Sequence, residues 1–526
     1  MAEATLPRTG GGGPPAAPAA AHEPFTGSVW VLMIITLSLT NFMEVLDISI
    51  ANVSLNNIAG SLGVSVNETT WAITSYAVAN AIAVPLAGWL GRRFGAVKVF
   101  TGAVIGFTIA SWVCGMSGSL AMLITGRVIQ GLFAGLMIPL SQALMLNNSP
   151  PAKRNMALAA WSMTVTVGPV VGPLLGGWIT DNYHWSWIFY INIPAGILCS
   201  IAVWRLLGPR DNPAAKLPVD LPGILLLVLW VGSLQVMLDK GNELDWFESN
   251  TIIGLGLVAL IGFVCFLTWE ITEKNPIVDI QLFRFRNFRV GMIALCLGYC
   301  LFFTNVVLLP LIFQTQYGYT ATWSGRITAP LGVGAVLFSP IVGRLMGKVD
   351  SRLLASCGFL IFAICSFWRT GYTTTSTMWM LTLPQFLQGV GIATFFAPLV
   401  NISTGAIPPE RMASASGFQN FGRMMMGSFG ASLGVTFWDH RAALHRTQMV
   451  EALPLSGDRL NDGLSALQQA GVSGEAAYAM IDRQLSIQAY VLAANDIFLL
   501  SGIIFVALMG VIWFARRPKP GGGGGH

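Results

Sequence analysis

Long apolar runs with few or no charges, separated by short polar or glycine- and proline-rich clusters, recur between residues 29 and 515. A helix needs about 20 residues to cross a hydrocarbon core. Fourteen runs meet that need, near 29–50, 70–90, 98–117, 120–146, 156–180, 187–206, 221–239, 251–270, 289–313, 323–346, 352–370, 377–401, 411–438 and 495–515. Their length predicts an all-α polytopic membrane protein with fourteen transmembrane helices. The one long polar interval inside this pattern, 439–494, predicts a loop with helical parts. Leu464, Leu467 and Ala470 share a helical face there, Gly471 marks a turn, and a second helix starts near residue 475.

Composition narrows the class. With 54% hydrophobic and 10% charged residues and a mean hydropathy of +0.65, the chain is not a soluble enzyme. A net charge of +5 over 526 residues carries no nucleic-acid footprint, but its distribution sets an orientation. Twenty of the lysines and arginines fall in the two tails and the even-numbered connections. These include Arg8, Arg92, Arg93, Lys153, Arg154, Lys216, Lys274, Arg344, Lys348 and Lys519. Only six, Lys240, Arg369, Arg441, Arg446, Arg459 and Arg483, fall in the odd-numbered ones. By the positive-inside rule both termini are cytoplasmic. Residues 1–27 read as a disordered tail rather than a signal peptide, and 516–526 as a second tail.

The chain also repeats itself at a spacing of 255–258 residues. Pro85-Leu-Ala-Gly88 with Arg93 is echoed by Pro340-Ile-Val-Gly343 with Lys348, Gln130-Gly131 by Gln388-Gly389, and Pro150-Pro151 by Pro408-Pro409. Two six-helix halves are therefore expected, 28–206 and 289–515. The linker 207–288 holds two inserted helices. Two similar halves with a site where they meet suit alternating access. The symmetry is broken at Arg127, whose counterpart is Gln385.

Ionisable residues inside a span cost roughly 2.5–3.5 kcal/mol each on insertion scales, so they mark function. Glu44 and Asp47 share a face of span 1, Arg127 lies in span 4 and Arg423 in span 13, whereas Arg326 is near enough to a span end to snorkel. The expectation is a proton-sensitive Asp47–Arg127 pair with Glu44 facing a cavity; a purely structural ion pair locking spans 1 and 4 is the alternative. Gln130, Tyr299, Asn305, Gln388 and Asn420, with Asn41, are candidates to line that cavity or to bond neighbouring helices. Phe42, Trp161, Phe303 and Phe395 are candidates for its apolar walls. No cofactor or metal is expected. The seven cysteines form no ligand spacing, and the five histidines fall in tails or loops. No H-E-x-x-H or G-x-x-x-x-G-K-[ST] motif occurs, and the one G-x-S-x-G match, Gly430 to Gly434, lies inside the run 411–438 rather than at a strand-to-helix turn, so neither a membrane enzyme nor ATP-driven transport is expected.

One segment is more specific than the rest. Thr166 to Trp178, inside span 5, places Gly168, Gly172 and Gly176 on one helix face, with Gly177 beside them. Such a stripe lets another helix approach closely. Pro169 and Pro173 interrupt the same helix and are expected to bend it. The pattern resembles the antiporter signature of the major facilitator superfamily. The resemblance extends through Val45 to Val53, through Arg127 with Gln130-Gly131, and through Asn182 to Trp187, Gln235 to Trp246 and Tyr317 to Trp323. Together these look like the EmrB-like branch of the 14-span drug:proton antiporters.

That resemblance implies the major facilitator fold and export of hydrophobic toxic compounds in exchange for protons across a bacterial inner membrane. It also implies a periplasmic adaptor of the EmrA type and an outer-membrane channel of the TolC type. A related branch exports fatty acids, which leaves long-chain fatty acids or lipids as the other substrate class. The segment Gly88 to Lys98, with Arg92, Arg93 and Gly95, resembles the superfamily's gating loop, although Gly91 stands where that pattern has an aspartate. The loop 439–494 has two readings, docking of an adaptor or cover for the outer mouth.

Overall fold

The structure is a computed structural model that describes residues 23–211, 218–273, 276–452, 458–472 and 474–517. The ends of both tails, Arg8, His22, Lys216, Lys274, Lys519 and His526 fall outside the described residues. So do the side chains of Thr166, Pro173 and Arg459.

Every expected span falls on helix. In order they are α1 Gly27–Val53, α2 Trp71–Phe94, α3 Ala96–Gly115, α4 Leu120–Asn148, α5 Arg154–Asn182 and α6 Asn192–Leu207. Two further helices, α7 Leu221–Lys240 and α8 Asn250–Thr272, precede α9 Arg286–Thr315, α10 Pro330–Leu345 and α11 Ser351–Arg369. The chain ends with α12 Met378–Thr404, α13 Met412–Glu451 and α14 Glu475–Ile512. Short helices Trp187–Tyr190 and Ala321–Thr328 lead into α6 and α10. Among the described residues twelve helices are long and apolar enough to cross a membrane; α5 and α13 are not in that set. No strand occurs among the described residues, as expected where lipid offers backbone groups no partner outside the helix.

The interval 439–494 is less of a loop than expected. α13 runs on to Glu451, α14 begins at Glu475, and a helix at Asp458–Gln469 lies between them, with Gly471 in the left-handed region at φ 85°. His440 and His445, read as loop residues, are therefore helical. The two extensions are tied by Arg446 to Asp482 (2.5 Å) and by Arg441 and His445 to Asp496 (2.5 and 2.7 Å).

Packing repeats between the halves. α1 lies against α5 as α9 lies against α13; α2 and α3 flank α4 as α10 and α11 flank α12. The crossings are made by matched glycines. A Cβ on Gly131 would come within 2.5 Å of the Tyr76 carbonyl oxygen, and one on Gly389 within 2.1 Å of that of Leu331. Backbone meets backbone at both places, which only glycine allows. Of the inserted pair, α7 packs along α2 and α13, beside the seam between the halves, and α8 packs on α7.

At one end of the bundle the halves are pressed together. Gly88 of α2 abuts Ser414 at the start of α13, and Gly343 of α10 abuts Met156 and Ala159 at the start of α5. This is the end that carries Arg92, Arg93, Lys153 and Lys348.

Candidate functional site

Away from that sealed end the halves part around a cavity of about 940 Å³. Asn52, Asp181 and Gln314 line its mouth and Tyr299, Phe302, Phe303, Phe395 and Phe396 its wall, with Asn305, Gln385 and Gln388 as polar groups among them. An apolar chamber with a few polar groups is the usual form of a small-molecule site.

Asp47 lies in the first half, off this cavity. Its side chain is 1% exposed and accepts from Arg127 Nη1 at 2.5 Å, Gln130 Nε2 at 3.0 Å and Asn192 Nδ2 at 2.8 Å. Ser111 Oγ accepts from both amides, at 2.8 and 3.0 Å. Arg127 is fixed further by the Ala72 carbonyl at 3.1 Å and lies 4.0 Å from the Tyr76 ring centre. α1, α2, α3, α4 and α6 each contribute a group. A buried ion pair of this kind is stable only because both carboxylate oxygens are met; removing either partner strands a charge.

Glu44, one turn from Asp47, is not among the cavity-lining residues. It is buried, accepts from Asn80 Nδ2 at 3.1 Å, and its Oε2 has no partner. The expectation that it faces the cavity is replaced by burial against α2, within electrostatic reach of Arg423.

The glycine stripe explains how α1 is held. Gly168, Gly172 and Gly176 face Val45, Ser49 and Ile50, with virtual Cβ distances of 2.6, 2.2 and 3.2 Å, so the stripe brackets Asp47. Pro169 and Gly177 of the same helix line the cavity. One helix thus touches the ion pair's support on one face and the chamber on another.

The remaining candidates divide. Tyr299, Phe303, Asn305, Gln388 and Phe395 line the cavity. Gln130 belongs to the Asp47 network. Trp161 is buried beneath the wall, its ring 6.0 Å from Phe396, and Phe42 packs in the apolar cluster around Leu46 and Ile50. Asn420 donates to Gln142 Oε1 across the halves at 2.9 Å, and Arg423 bonds Asn420 and the Tyr299 hydroxyl at 3.3 Å each. Arg326 is exposed over Trp323, as a snorkelling residue should be. In the gating segment Arg92 donates to Ser414 Oγ at 2.8 Å and Arg93 lies over Trp89. Gly95 adopts φ 96°, and the Asp211 carboxylate accepts from the Val97 and Lys98 amides beside it. An aspartate is therefore present at this turn, brought from the segment after α6.

Three participants escaped the sequence reading. Ser111 and Asn192 carry no charge and look like ordinary polar residues in apolar runs. Arg369, counted above among connection charges, is instead the last residue of α11 and 1% exposed. Its Nη1 reaches Asn305 Oδ1 at 3.4 Å and its Nη2 bonds Gln388 Oε1. The repeat spacing held the signal, since Arg369 is 258 residues beyond Ser111.

The Major Facilitator Superfamily profile matches residues 37–431. The chain belongs to the major facilitator superfamily. It is thus a multi-pass membrane transporter by family rather than an enzyme. The chain is 47% identical to the multidrug export protein EmrB of Escherichia coli strain K12 over 96% of its length and 99% of that protein's. It is 44% identical to the fatty acid resistance protein FarB of Neisseria gonorrhoeae, over 96% and 100%. Among solved structures, the human organic anion transporter MFSD10 superposes with a TM-score of 0.59 at 12% identity, covering 93% of this chain and all of that one. The proton:xylose symporter XylE gives 0.56 at 13%, covering 91% and 96%. Both share the fold of this chain.

Proposed function

We propose that this transporter is a proton-coupled antiporter that exports hydrophobic compounds across a bacterial inner membrane. In this reading residues 28–206 and 289–515 are the two moving halves, joined by 207–288, and both termini are cytoplasmic. The cavity then opens to the periplasm and Gly88, Arg92 and Gly343 belong to the cytoplasmic seal. The observation that carries the proposal is the Asp47–Arg127 pair, buried off the cavity on a helix gripped by the α5 glycines. A proton on Asp47 weakens its hold on Arg127 and frees α1 relative to α4. α5, which touches both α1 and the chamber, then carries that change to the substrate site. Substrate and proton compete through this coupling, with Glu44 as the neighbouring carboxylate. Near-full-length similarity to a multidrug export protein supports the substrate class.

Similarity to a fatty acid resistance protein favours long-chain fatty acids as the second reading. The helical extensions of α13 and α14 are the proposed seat of a periplasmic adaptor of the EmrA type, linked to an outer-membrane channel of the TolC type. Proton release from the purified protein on adding hydrophobic drugs tests the core of the proposal. Release in the wild type that is lost in Asp47→Asn is expected; undiminished release in that variant removes Asp47 from coupling. Comparing drugs with long-chain fatty acids in vesicles separates the two substrate classes.

A further inference from the structure

The internal repeat maps the Asp47 network onto a set of residues beside the cavity. Asp47 corresponds to Asn305, Gln130 to Gln388 and Ser111 to Arg369, each 258 residues on. In the first half a carboxylate neutralises the arginine. In the second half the carboxylate position holds an amide, and an arginine enters from α11 instead. Among the described residues no carboxylate pairs with Arg369: its contacts are the Asn305 and Gln388 amide oxygens, the Tyr372 hydroxyl and, at 5.9 Å, the Phe498 ring. Its Nε has no partner. A buried guanidinium met only by neutral groups is costly and keeps most of its attraction for an anion.

Two of those neutral partners, Asn305 and Gln388, form part of the cavity lining, next to the aromatic wall. We propose that Arg369, held at the cavity by Asn305 and Gln388, binds the acidic group of an amphipathic anion whose apolar body lies along Tyr299, Phe303 and Phe395. The ligand's oxygen takes the place of Asn305 Oδ1, whose 3.4 Å contact is the longer of the two amide bonds to the guanidinium. This rests on the export reading only in treating the cavity as the ligand site; it does not depend on proton coupling.

Binding of a dansyl-tagged long-chain carboxylate and of its primary amide to the full-length purified protein tests the assignment. The wild type should prefer the carboxylate. Arg369→Gln should lower that preference by about tenfold or more, the order expected when a charge-assisted contact is removed. Asn305→Asp, which rebuilds the first half's ion pair, should abolish the preference as well, and Arg369→Lys should retain part of it. A wild type without preference overturns the proposal, as does a preference unchanged in Arg369→Gln and Asn305→Asp. If both probes weaken in step in these variants, Arg369 supports the fold and the assignment fails, while the export reading stands. If neither probe binds the wild type, the cavity is not the ligand site and both readings of it fail, whereas proton release still reports on Asp47.

Discussion

The two halves share their close contacts and differ in their charges. Gly131 and Gly389 make the same backbone crossing, and Gly88 and Gly343 each meet the start of the opposite half's fifth helix. Gly172 packs on Ser49 of α1, and its counterpart Gly430 packs on Cys300 of α9, both at a virtual 2.2 Å. Yet Asp47 with Arg127 in one half becomes Asn305 with Gln385 in the other, and Pro169 becomes Gly427. Helices that cross at contact distance need small residues in both halves, so the packing constraint is symmetric. A buried carboxylate is costly wherever it stands, and one half can carry it for both.

The largest effect expected from breaking this difference is at Asp47. Asp47→Asn makes the first half resemble the second and should eliminate substrate-induced proton release. Thermal unfolding in the same detergent checks that the protein remains folded with Arg127 held by Gln130 and Ala72. Next come the matched glycines. Gly172→Val and Gly430→Val should each destabilise the fold by about 1–3 kcal/mol, as overpacking does. Only Gly172→Val should also alter proton release, because only its neighbour helix carries the acid. Similar loss of release in both would mean that the asymmetry of charge does not govern coupling.

A smaller effect is expected at the sealed end. Arg92 donates to Ser414, whereas the register position in the second half is Gly347, which has no side chain to do so. Arg92→Ala should weaken closure by about 1.5 kcal/mol, the low end for a hydrogen bond to a charged group. A cysteine placed at Ser416, fully buried here, should then react faster with a maleimide.

The smallest effect concerns Asp350. Hydrogen bonds from Arg352, with Arg517 nearby, hold its carboxyl below the usual range despite partial burial. A lowered folded-state value means its contribution is complete above the unfolded value and fades as pH falls through the folded one. The stability difference between wild type and Asp350→Asn should therefore shrink on acidification below the ordinary carboxylate range. A difference that grows there would contradict the ion-pair arrangement.

Much of this was legible in the residues themselves. Each of the fourteen runs falls on helix because hydrophobic length is a local property. Asp47 and Arg127 were conspicuous because charge inside an apolar run is rare. Arg369 was not, since the last residue of an apolar run is where a snorkelling cation also belongs. Spacing puts Glu44 one turn from Asp47 on α1, but helical spacing cannot tell which neighbour that face meets, and Glu44 is buried against α2. The interval 439–494 read as a loop because its polarity is that of a helix in water as much as of a connection.

The sequence by itself determined the order of the helices, the internal repeat and the presence of a charge pair in one half only. These follow from local composition and from spacing along the chain. The tertiary structure decided that Asp47 is sealed by Gln130, Asn192 and Ser111, that the cavity opens away from the Arg92 end, and that Arg369 joins Asn305 and Gln388. Each of these depends on which helices touch across long stretches of chain, and helix–helix contact is fixed by the packing of the whole bundle rather than by any one segment.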